Sequence, residues 1–395
     1  MKVLIVIPSL CNGGAERVAS LLSTGLSGEG HDVYLGLAVK AISYPFSGEL
    51  VDFGIKDPYK RDVASRFLST VELTVKLRRL KKKIDPDVTV SFLEVANIPN
   101  VLSGSKTIVS VREFKRASGD RSAQRRVAER LMKLLYNRAN KVVVNSMALG
   151  ISMEKDYGVK KDKIKVIYNP VDIGGIIANS GERLDDELAS VFESPVIITA
   201  GRLTRQKAHW NLIRAFAEAK KAVPDAKLVV LGDGELKGFL QELSAGLGIR
   251  HDVIFAGFQK NPFRFISKAA VFAFTSLWEG FPNALLEAMA CGVPVISTDC
   301  PSGPREILSP DTDFHIKTDS PEYAKYGILM PVFDGEIKDA SAPLVKEEKI
   351  WADAMVEMLK NSALRVDYGA KAKARASDFN MAGIIRQWED LILNC

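Results

Sequence analysis

Two glutamates stand eight positions apart in EGFPNALLE, residues 279–287, with a Gly-Phe-Pro turn between them. A helix that starts near Pro282 leaves its first N–H groups without intrahelical acceptors, and such a terminus attracts anions. Pro282 suits the first helical position, and Gly292 suits the position just past the last turn. A carboxylate does not bind phosphate but accepts two hydrogen bonds from a vicinal diol. Alternatively, the two glutamates bind no ligand and occur here because the helix dipole stabilises carboxylates near a helix N-terminus.

Two cations follow a short apolar strand in VIITAGRLTRQK, so that Arg202 and Lys207 come just past its carboxyl end. A guanidinium and an ammonium are a common pair for binding a diphosphate, although both can also be solvated loop cations. Combined with the helix start, the pair predicts a nucleotide sugar as ligand. Cations and N–H groups would hold the diphosphate, Glu287 the ribose hydroxyls and Glu279 the hexose hydroxyls.

The first predicted strand runs into a Gly-Gly turn, SLCNGGAERVAS. This turn is not a G-x-G-x-x-G fingerprint, and no suitably placed acidic residue follows the second strand, so a dinucleotide cofactor is disfavoured. Gly13 and Gly14 would still allow a ligand to approach backbone N–H groups closely.

No metal-ligand spacing is found. Neither a disulfide framework nor a structural zinc is expected, because the four cysteines lack a CxxC pair, and the four histidines are interpreted as surface or turn residues. Two DxD triplets, Asp85-Pro86-Asp87 and Asp311-Thr312-Asp313, are interpreted as structural turns. We therefore predict a site that needs no metal.

Short apolar strands alternate with helix-like stretches in both halves of the chain, which predicts two doubly wound α/β domains with parallel sheets. The predicted strands are KVLIVIPSL, HDVYLGLAV, DVTVSFL, KTIVSV, KVVVNS, PVIITAGRL, KLVVLGDG, DVIFAGF, AVFAFTS, PVIST and GILMPV. The predicted domains are 1–170 and 171–379, facing a central cleft, with 171–194 as the linker. We expect a C-terminal helix, about 380–395, to cross back onto the first domain.

Charge is divided unevenly between the halves. Residues 1–170 hold 29 Lys+Arg and 17 Asp+Glu, a net +12, whereas the remainder is −6 and the whole chain +6. Within RSAQRRVAERLMKLLYNRA, apolar residues fall on one helical stripe beside cations, and KLRRLKKK at 76–83 adds more. The members of this stripe and its cations are Val127, Leu131, Leu134, Leu135, Arg125, Arg126, Arg130 and Lys133.

This pattern predicts a peripheral face for an anionic membrane; the alternative is a helix that only docks on its own sheet. Because aromatic residues do not interleave the cations, nucleic-acid binding is disfavoured. The chain lacks an apolar run of about 18 residues and a signal sequence, so a cytoplasmic location is expected.

An ordered set of motifs resembles family 4 of the retaining glycosyltransferases, which have the GT-B fold. The resemblance spans nearly the whole chain and is carried by NGGAER, GRLTRQK, VVLGDGEL, EGFPNALLEAMACGVPVIST, CPSGPREIL and GILMPVFD. It implies sugar transfer from a UDP-sugar, with retained configuration and no metal or cofactor. The implied acceptor is a glycan or lipid-linked glycan in bacterial polysaccharide biosynthesis. Alternatives are a UDP-sugar epimerase or a phosphorylase of the same fold, or a basic nucleic-acid-binding protein.

The resemblance also implies residue roles. Arg202, Lys207 and Glu279 would act in catalysis. Where many relatives carry a histidine, this chain has Val111-Arg112-Glu113, so Arg112 and Glu113 become candidate acceptor-side contacts. The implied donor-binding residues are Gly13, Gly14, Arg202, Lys207, Gly257, Glu279, Gly280, Phe281, Pro282, Asn283, Ala284, Leu285 and Glu287.

Overall fold

A computed structural model describes residues 1–11, 13–55, 63–113 and 123–395. The chain divides into two compact units: unit 1 is Met1–Pro170 with Met381–Cys395, and unit 2 is Val171–Asn380. The predicted division after residue 170 and the return of the C-terminal helix to the first domain coincide with these limits.

Unit 1 is built on a parallel sheet flanked by helices. Its strands are β1 (Lys2–Ile7), β2 (Asp32–Leu37), β3 (Glu49–Asp52), β4 (Val88–Phe92), β5 (Thr107–Val111), β6 (Lys141–Val144) and β7 (Ile164–Val166). Its helices are α1 (Gly14–Gly28), α2 (Val63–Ile84), α3 (Glu94–Ser103), α4 (Ala123–Leu135), α5 (Met147–Lys155) and α15 (Met381–Leu393). The strand order is β3-β2-β1-β4-β5-β6-β7, with every pairing parallel.

Unit 2 repeats this plan. Its strands are β8 (Val196–Ala200), β9 (Lys227–Leu231), β10 (Val253–Gly257), β11 (Val271–Phe274), β12 (Val295–Thr298), β13 (Glu322–Ala324) and β14 (Gly327–Met330). Its helices are α6 (Ile173–Ser180), α7 (Asp186–Val191), α8 (His209–Ala219), α9 (Lys237–Gly246), α10 (Phe263–Ile266), α11 (Asn283–Ala290), α12 (Pro304–Leu308), α13 (Lys346–Lys360) and α14 (Ser362–Ser377). The strand order is β10-β9-β8-β11-β12-β14-β13, and β13 pairs antiparallel with β14.

Both sheets reverse their strand order next to their first strand. In unit 1 the reversal falls between β1 and β4, and in unit 2 between β8 and β11. Ligands of doubly wound sheets bind beyond the carboxyl ends of the strands at this point. The loops after β8 and β11 carry Arg202, Lys207 and Glu279, so the topology places these predicted residues together.

The interpretation of 171–194 as a linker is wrong. This stretch contains α6 and α7 and belongs to unit 2. Asp172 caps α6 by accepting a hydrogen bond from Gly175 N–H at 3.0 Å, and Ile176 is buried. The polar composition of the whole stretch favoured a linker, although α6 has two helix signals: an Asp cap at its start and apolar residues three positions apart.

Each unit has its own apolar core. In unit 1, α15 places Trp388, fully buried, in the core formed by β1, β2, β4 and α1. In unit 2, Trp210 and Trp351 are fully buried in the core. A buried ion pair between Arg214 of α8 and Glu348 of α13, at 2.8 Å, joins these two helices. The sheets are therefore fixed supports for the loops at their carboxyl edges.

Candidate functional site

The loops after β8 and β11 are tied together by hydrogen bonds. Leu277 N–H donates to the carbonyl of Gln206 at 2.8 Å, and the Gln206 side-chain amide donates to the carbonyl of Trp278 at 2.8 Å. Thr275 Oγ1 donates to the carbonyl of Lys207 at 2.7 Å. Both loops are thereby held in one fixed arrangement at the carboxyl edge of the sheet.

Lys207 and Glu279 meet at this edge. Lys207 Nζ lies 2.5 Å from Glu279 Oε1, and their side chains are only 16% and 11% exposed. The ammonium also lies 5.1 Å from the ring centroid of Phe274. Because a charge-assisted hydrogen bond is strong where water is excluded, this pair fixes both side chains. Two residues predicted as separate ligand contacts are therefore direct partners.

Lys207 is positioned by an unusual backbone turn. Ala208, which follows it, has a left-handed φ of +49°, and α8 begins at His209. His209 is buried, so the expectation that the histidines are surface or turn residues is wrong at this position. Burial, and then the charge of Lys207, lowers the pKa of His209 to about 3. The imidazole is therefore a neutral packing group behind the cation.

Arg202 differs from Lys207 in its surroundings. It is exposed at the end of β8, and among the residues that the structure describes it has no ion-pair partner. Its guanidinium is therefore available to an anion at the sheet edge. Lys207, in contrast, would have to divide its hydrogen bonds between Glu279 and an incoming anion.

The helix that follows Glu279 starts one residue later than predicted. Asn283 is the first helical residue, and Pro282 is the N-cap with extended backbone (φ −79°, ψ 104°). The first intrahelical bond runs from Leu286 N–H to Pro282 O at 3.4 Å, so the N–H groups of Ala284 and Leu285 lack intrahelical acceptors. Gly292, with φ +75°, lies just past the last turn as predicted.

The two glutamates of this segment are in different environments. Glu279 is 8% exposed, whereas Glu287 is half-buried in the second turn of α11. Burial, and then the charge of Glu287, raises the pKa of the Cys291 thiol to about 12. Burial, and then Glu279, raises the pKa of Cys300 well above its usual range. Each carboxylate therefore has an unreactive thiol nearby.

Gly257, also predicted to contact the donor, ends β10 in a left-handed conformation with φ +69°. Its carbonyl accepts a hydrogen bond from Gly232 N–H at 2.8 Å, and a methyl group on Gly232 would lie 1.9 Å from the carbonyl oxygen of Gly201. These glycines allow three neighbouring strand ends to approach closely. They place Gly257 two strands away from β8 along the same edge.

In unit 1, Gly13 and Gly14 lie after β1 at the strand-order reversal. Gly13 is the N-cap of α1 with extended backbone, and Gly14 is its first residue. Arg17 N–H donates to Gly13 O at 3.0 Å. The Gly-Gly pair therefore forms a helix start at the predicted ligand edge. Asn12 lies outside the described residues.

Arg112 directly follows β5 and is 8% exposed. Its Nε donates to Ser110 Oγ at 2.6 Å and its Nη1 to Asn169 Oδ1 at 2.7 Å. The guanidinium carbon lies 5.1 Å from the Phe92 ring centroid and 5.5 Å from that of Trp388. Burial lowers the pKa of Arg112 to about 9. The neighbouring Glu113 is exposed.

The described part of the chain contains no group of three or more His, Cys, Asp or Glu side chains that could hold a metal ion. The DxD aspartates make other contacts: Asp87 accepts a hydrogen bond from Lys2 N–H at 2.8 Å, Asp311 pairs with Lys325, and Asp313 pairs with His315. Asp87, Asp311 and Asp313 thus each have a protein partner, and the structural interpretation of both triplets stays a prediction. All four cysteines are free thiols.

Only part of the apolar stripe predicted on α4 packs into the core of unit 1, and the rest is exposed beside the cations. Leu135 is buried and Leu131 half-buried in the core, whereas Val127 and Leu134 are 43% and 71% exposed. Arg126, Arg130 and Lys133 are exposed on the same helix, and the Arg125 side chain lies outside the described residues. No described helix is both long and apolar enough to cross a bilayer.

In α2, some cations of the run KLRRLKKK make contacts within unit 1 and are therefore less available to a membrane surface than the sequence suggests. Lys81 is 4% exposed and donates to Asn100 O, Asn100 Oδ1 and Gly104 O. Lys76 donates to Phe53 O, and Arg78 to Leu102 O. Three of its six cations thus bind carbonyl groups of unit 1.

Two doubly wound units, one with cations and helix N–H groups at the carboxyl edge of its sheet, define an α/β protein of the class whose ligands bind beyond the carboxyl ends of the strands. Comparison with known proteins gives the family. Residues 12–174 match the family described as Glycosyltransferase Family 4, and residues 182–330 match Glycosyl transferases group 1.

Two relatives match over most of their length. An uncharacterized glycosyltransferase of Methanocaldococcus jannaschii is 37% identical over 81% of this chain and 82% of its own. A Campylobacter jejuni enzyme is 30% identical over 98% of this chain and 97% of its own. Its name is N-acetylgalactosamine-N,N'-diacetylbacillosaminyl-diphospho-undecaprenol 4-alpha-N-acetylgalactosaminyltransferase.

The fold matches that of solved glycosyltransferases. The crystal structure of Anabaena HepE in complex with UDP superposes with a TM-score of 0.74 at 18% identity, covering 100% of both chains. The chain belongs to the family 4 glycosyltransferases and has the GT-B fold.

Proposed function

We propose that this glycosyltransferase moves a sugar from a UDP-sugar to a glycan or lipid-linked glycan, with retention of configuration, in the assembly of a bacterial surface polysaccharide. The observation that carries the proposal is the ion pair of Lys207 and Glu279, 2.5 Å apart where the strand order of unit 2 reverses. It supports the proposal because an ammonium suited to phosphate lies beside a carboxylate suited to sugar hydroxyls.

The relatives support the choice of donor and acceptor. HepE was crystallised with UDP, and the Campylobacter relative is named for transfer to a diphospho-undecaprenol-linked acceptor. We assign the donor to unit 2, where the cations and the start of α11 lie. We assign the acceptor to unit 1, with Arg112 and Glu113 as its candidate contacts.

The proposed reaction breaks the bond between the anomeric carbon and the diphosphate oxygen. The acceptor hydroxyl oxygen forms the new bond on the same face of the sugar, and its proton passes to the leaving diphosphate. Arg202 and Lys207 stabilise the charge that grows on the leaving group. Glu279 accepts hydrogen bonds from the donor sugar, and Glu287 accepts them from the ribose diol.

We further propose that the reaction requires no metal ion, since two protein cations, Arg202 and Lys207, would neutralise the diphosphate. The basic face of unit 1 would hold the enzyme at an anionic membrane surface, where lipid-linked acceptors are located.

A panel of UDP- and GDP-sugars tests the proposed function through thermal stabilisation. A ligand at 100 times its dissociation constant stabilises the folded protein by about 2.7 kcal/mol, which raises Tm measurably. We expect stabilisation by UDP and by one or more UDP-sugars. The stabilising donor is then incubated with acceptor, and the anomeric configuration of the product is determined by NMR. Stabilisation by none of the panel would refute the proposal, and donor turnover without transfer would favour an epimerase or a phosphorylase.

A further inference from the structure

A turn from a neighbouring strand lies directly against the loop that begins α11. This 300–303 turn follows β12, and Ser302 Oγ donates a hydrogen bond to the carbonyl oxygen of Gly280 at 2.5 Å. Behind it, a methyl group built on Gly303 would lie 2.5 Å from Pro282 Cδ and 3.2 Å from Phe281 Cα. The turn therefore contacts each of the three residues between Glu279 and α11.

The backbone of the turn is in a conformation that L-residues rarely adopt. Ser302 has φ +72° and Gly303 has φ +95°. A non-glycine residue in the left-handed region is strained, and such strain persists only where the surrounding structure imposes it. A serine at this position is therefore unfavourable for the backbone alone, and its hydroxyl contact with Gly280 offers a reason for its presence.

The turn is held at its start by a buried ion network. Asp299, fully buried, accepts hydrogen bonds from Arg305 Nη2 at 2.7 Å and from Thr318 N–H at 3.0 Å. Arg305 also binds Glu322, with Nη2 at 2.7 Å from its carboxylate. Because Asp299 and Arg305 flank the turn in sequence, this network fixes both of its ends.

The turn is also held from α14. Arg375 donates from Nε to Ile307 O at 3.0 Å and from Nη2 to Glu306 O at 2.8 Å, which anchors the last residues of α12. The same side chain lies 4.7 Å from the ring centroid of Phe379, which contacts the Phe281 ring at 5.5 Å between centroids. The turn is therefore supported by Arg375 of α14, and the loop by Phe379, which follows this helix and lies against the Arg375 side chain.

The position of the Gly280 carbonyl matters for the proposed ligand. A peptide group is planar and trans, so the hydrogen bond from Ser302 to Gly280 O also fixes the direction of the Phe281 N–H. The contact with Pro282 fixes the residue from which the first turn of α11 starts. Both affect where N–H groups stand relative to a bound diphosphate.

We propose that Ser302 and Gly303 are positioning residues for the diphosphate: they hold the loop of Gly280, Phe281 and Pro282 so that the start of α11 and Glu279 keep their places. The inference rests on the proposed function of this loop as part of the donor site. It goes beyond that proposal by giving a role to residues from β12 and its following turn.

Gly303→Ala tests the inference, and Gly248→Ala is its matched control. Gly248 has φ +74° and no heavy atom within 4 Å of an added methyl group, so it reproduces the backbone strain without the collision. We expect both variants to have a lower Tm. Only Gly303→Ala should weaken UDP binding, by about tenfold or more in calorimetry, and raise the KM for the donor more than it lowers kcat.

Ser302→Ala is the milder variant and decides the question if Gly303→Ala does not fold. It removes one hydrogen bond, and we expect UDP affinity to fall by about 3- to 10-fold. Its control is Ser244→Ala in α9, a buried serine whose Oγ donates to Gln241 O at 2.8 Å within its own helix. This control should bind UDP as the wild type does.

The outcomes separate the two proposals. Wild-type protein that fails to bind UDP refutes the proposed donor and, with it, this inference. Wild-type protein that binds UDP while Gly303→Ala and Ser302→Ala bind it equally well refutes the positioning role alone. A loss of affinity of the same size in Gly248→Ala or Ser244→Ala would also overturn it, because the effect would then be one of general stability.

Discussion

Lys207 is the residue on which the proposed chemistry depends most. Its ammonium is held by Glu279 and by the face of Phe274, and its carbonyl by Thr275, so neither the side chain nor the backbone moves freely. A cation fixed in this way stabilises charge on a leaving group without having to reorganise.

Lys207→Ala should therefore lower kcat by about 100-fold or more, the usual effect of removing one such electrostatic group. Binding of UDP should weaken as well. The measurements are steady-state kinetics with the identified donor and calorimetry with UDP. Lys237→Ala, which removes an exposed cation paired with Asp233 in the same unit, is the control. Near-wild-type transfer by Lys207→Ala would remove this residue from the mechanism.

The roles proposed for Glu279 and Glu287 can be distinguished by comparing the binding of UDP with that of the UDP-sugar. If Glu287 binds the ribose, Glu287→Ala should weaken UDP and the UDP-sugar alike, by about tenfold or more, because bonds to a charged acceptor are lost. Glu279→Ala should keep at least wild-type affinity for UDP, since Lys207 then has one anionic partner fewer, but should impair use of the sugar. Calorimetry with both ligands measures this. Equal losses in the two variants would show that the roles are misassigned.

The proposed metal independence can be tested by removing metal ions with EDTA. EDTA should leave most of the transferase activity intact in an assay with the identified donor and acceptor, because Arg202 and Lys207 supply the positive charge. Loss of activity in EDTA, followed by recovery on addition of manganese, would contradict this and return attention to the DxD triplets.

At the scale of elements, the sequence was most informative where strands are wholly apolar. All eleven predicted runs contain strands, because central strands of a doubly wound sheet are buried on both faces. The missed strands are β3, β7 and β13, which are short, partly exposed and at the ends of their sheets. Their sequences lack a continuous apolar signal because an edge strand is covered on fewer sides.

The positions of the candidate site residues in the fold were predictable from the sequence, but their contacts were not. Strand ends and helix-start signals place Arg202, Lys207 and Glu279 near one edge, yet no pattern shows that Lys207 and Glu279 pair. The contact between Ser302 and Gly280 cannot be predicted from the motif CPSGPREIL, because it joins residues 22 positions apart in the sequence. His209 and Lys81 are polar types whose burial depends on tertiary packing.

Lys81 makes the packing of α2 on α3 sensitive to pH. Burial, and then Arg78, lowers the pKa of Lys81 from 10.5 to about 7. Between pH 7 and 10.5 the unfolded chain holds this proton and the folded chain does not, so the free energy of unfolding rises with pH through this window. Lys81→Met removes the contribution.

We therefore expect the stability difference, wild type minus Lys81→Met, to increase between about pH 7 and pH 10 in urea unfolding. Lys82→Met, which alters an exposed neighbour, should show no such increase. A difference that stays level or declines across this range would contradict the proposed titration of Lys81.

At the scale of the whole molecule, the uneven charge is the feature that the site does not explain. Residues 1–170 carry +12 and the remainder −6. Three of these basic side chains, Lys76, Arg78 and Lys81, donate hydrogen bonds to carbonyl groups within unit 1 and do not project freely from the surface. What is left on the described surface of α4 is a mixed face, in which Val127 and Leu134 are exposed beside cations.

That face predicts salt-sensitive binding to vesicles rich in anionic lipid and none to neutral vesicles, because each basic residue near an anionic leaflet contributes about 1 kcal/mol and exposed apolar side chains can enter the interface. Changing Arg125, Arg126 and Arg130 to Ala should weaken cosedimentation. The control changes the exposed Lys346, Lys349 and Lys360 of α13 to Ala, which removes the same charge from unit 2. Equal losses in both variants would show that only net charge matters. Failure to cosediment with anionic vesicles even at low salt would refute the membrane face and favour an acceptor that is not membrane-bound.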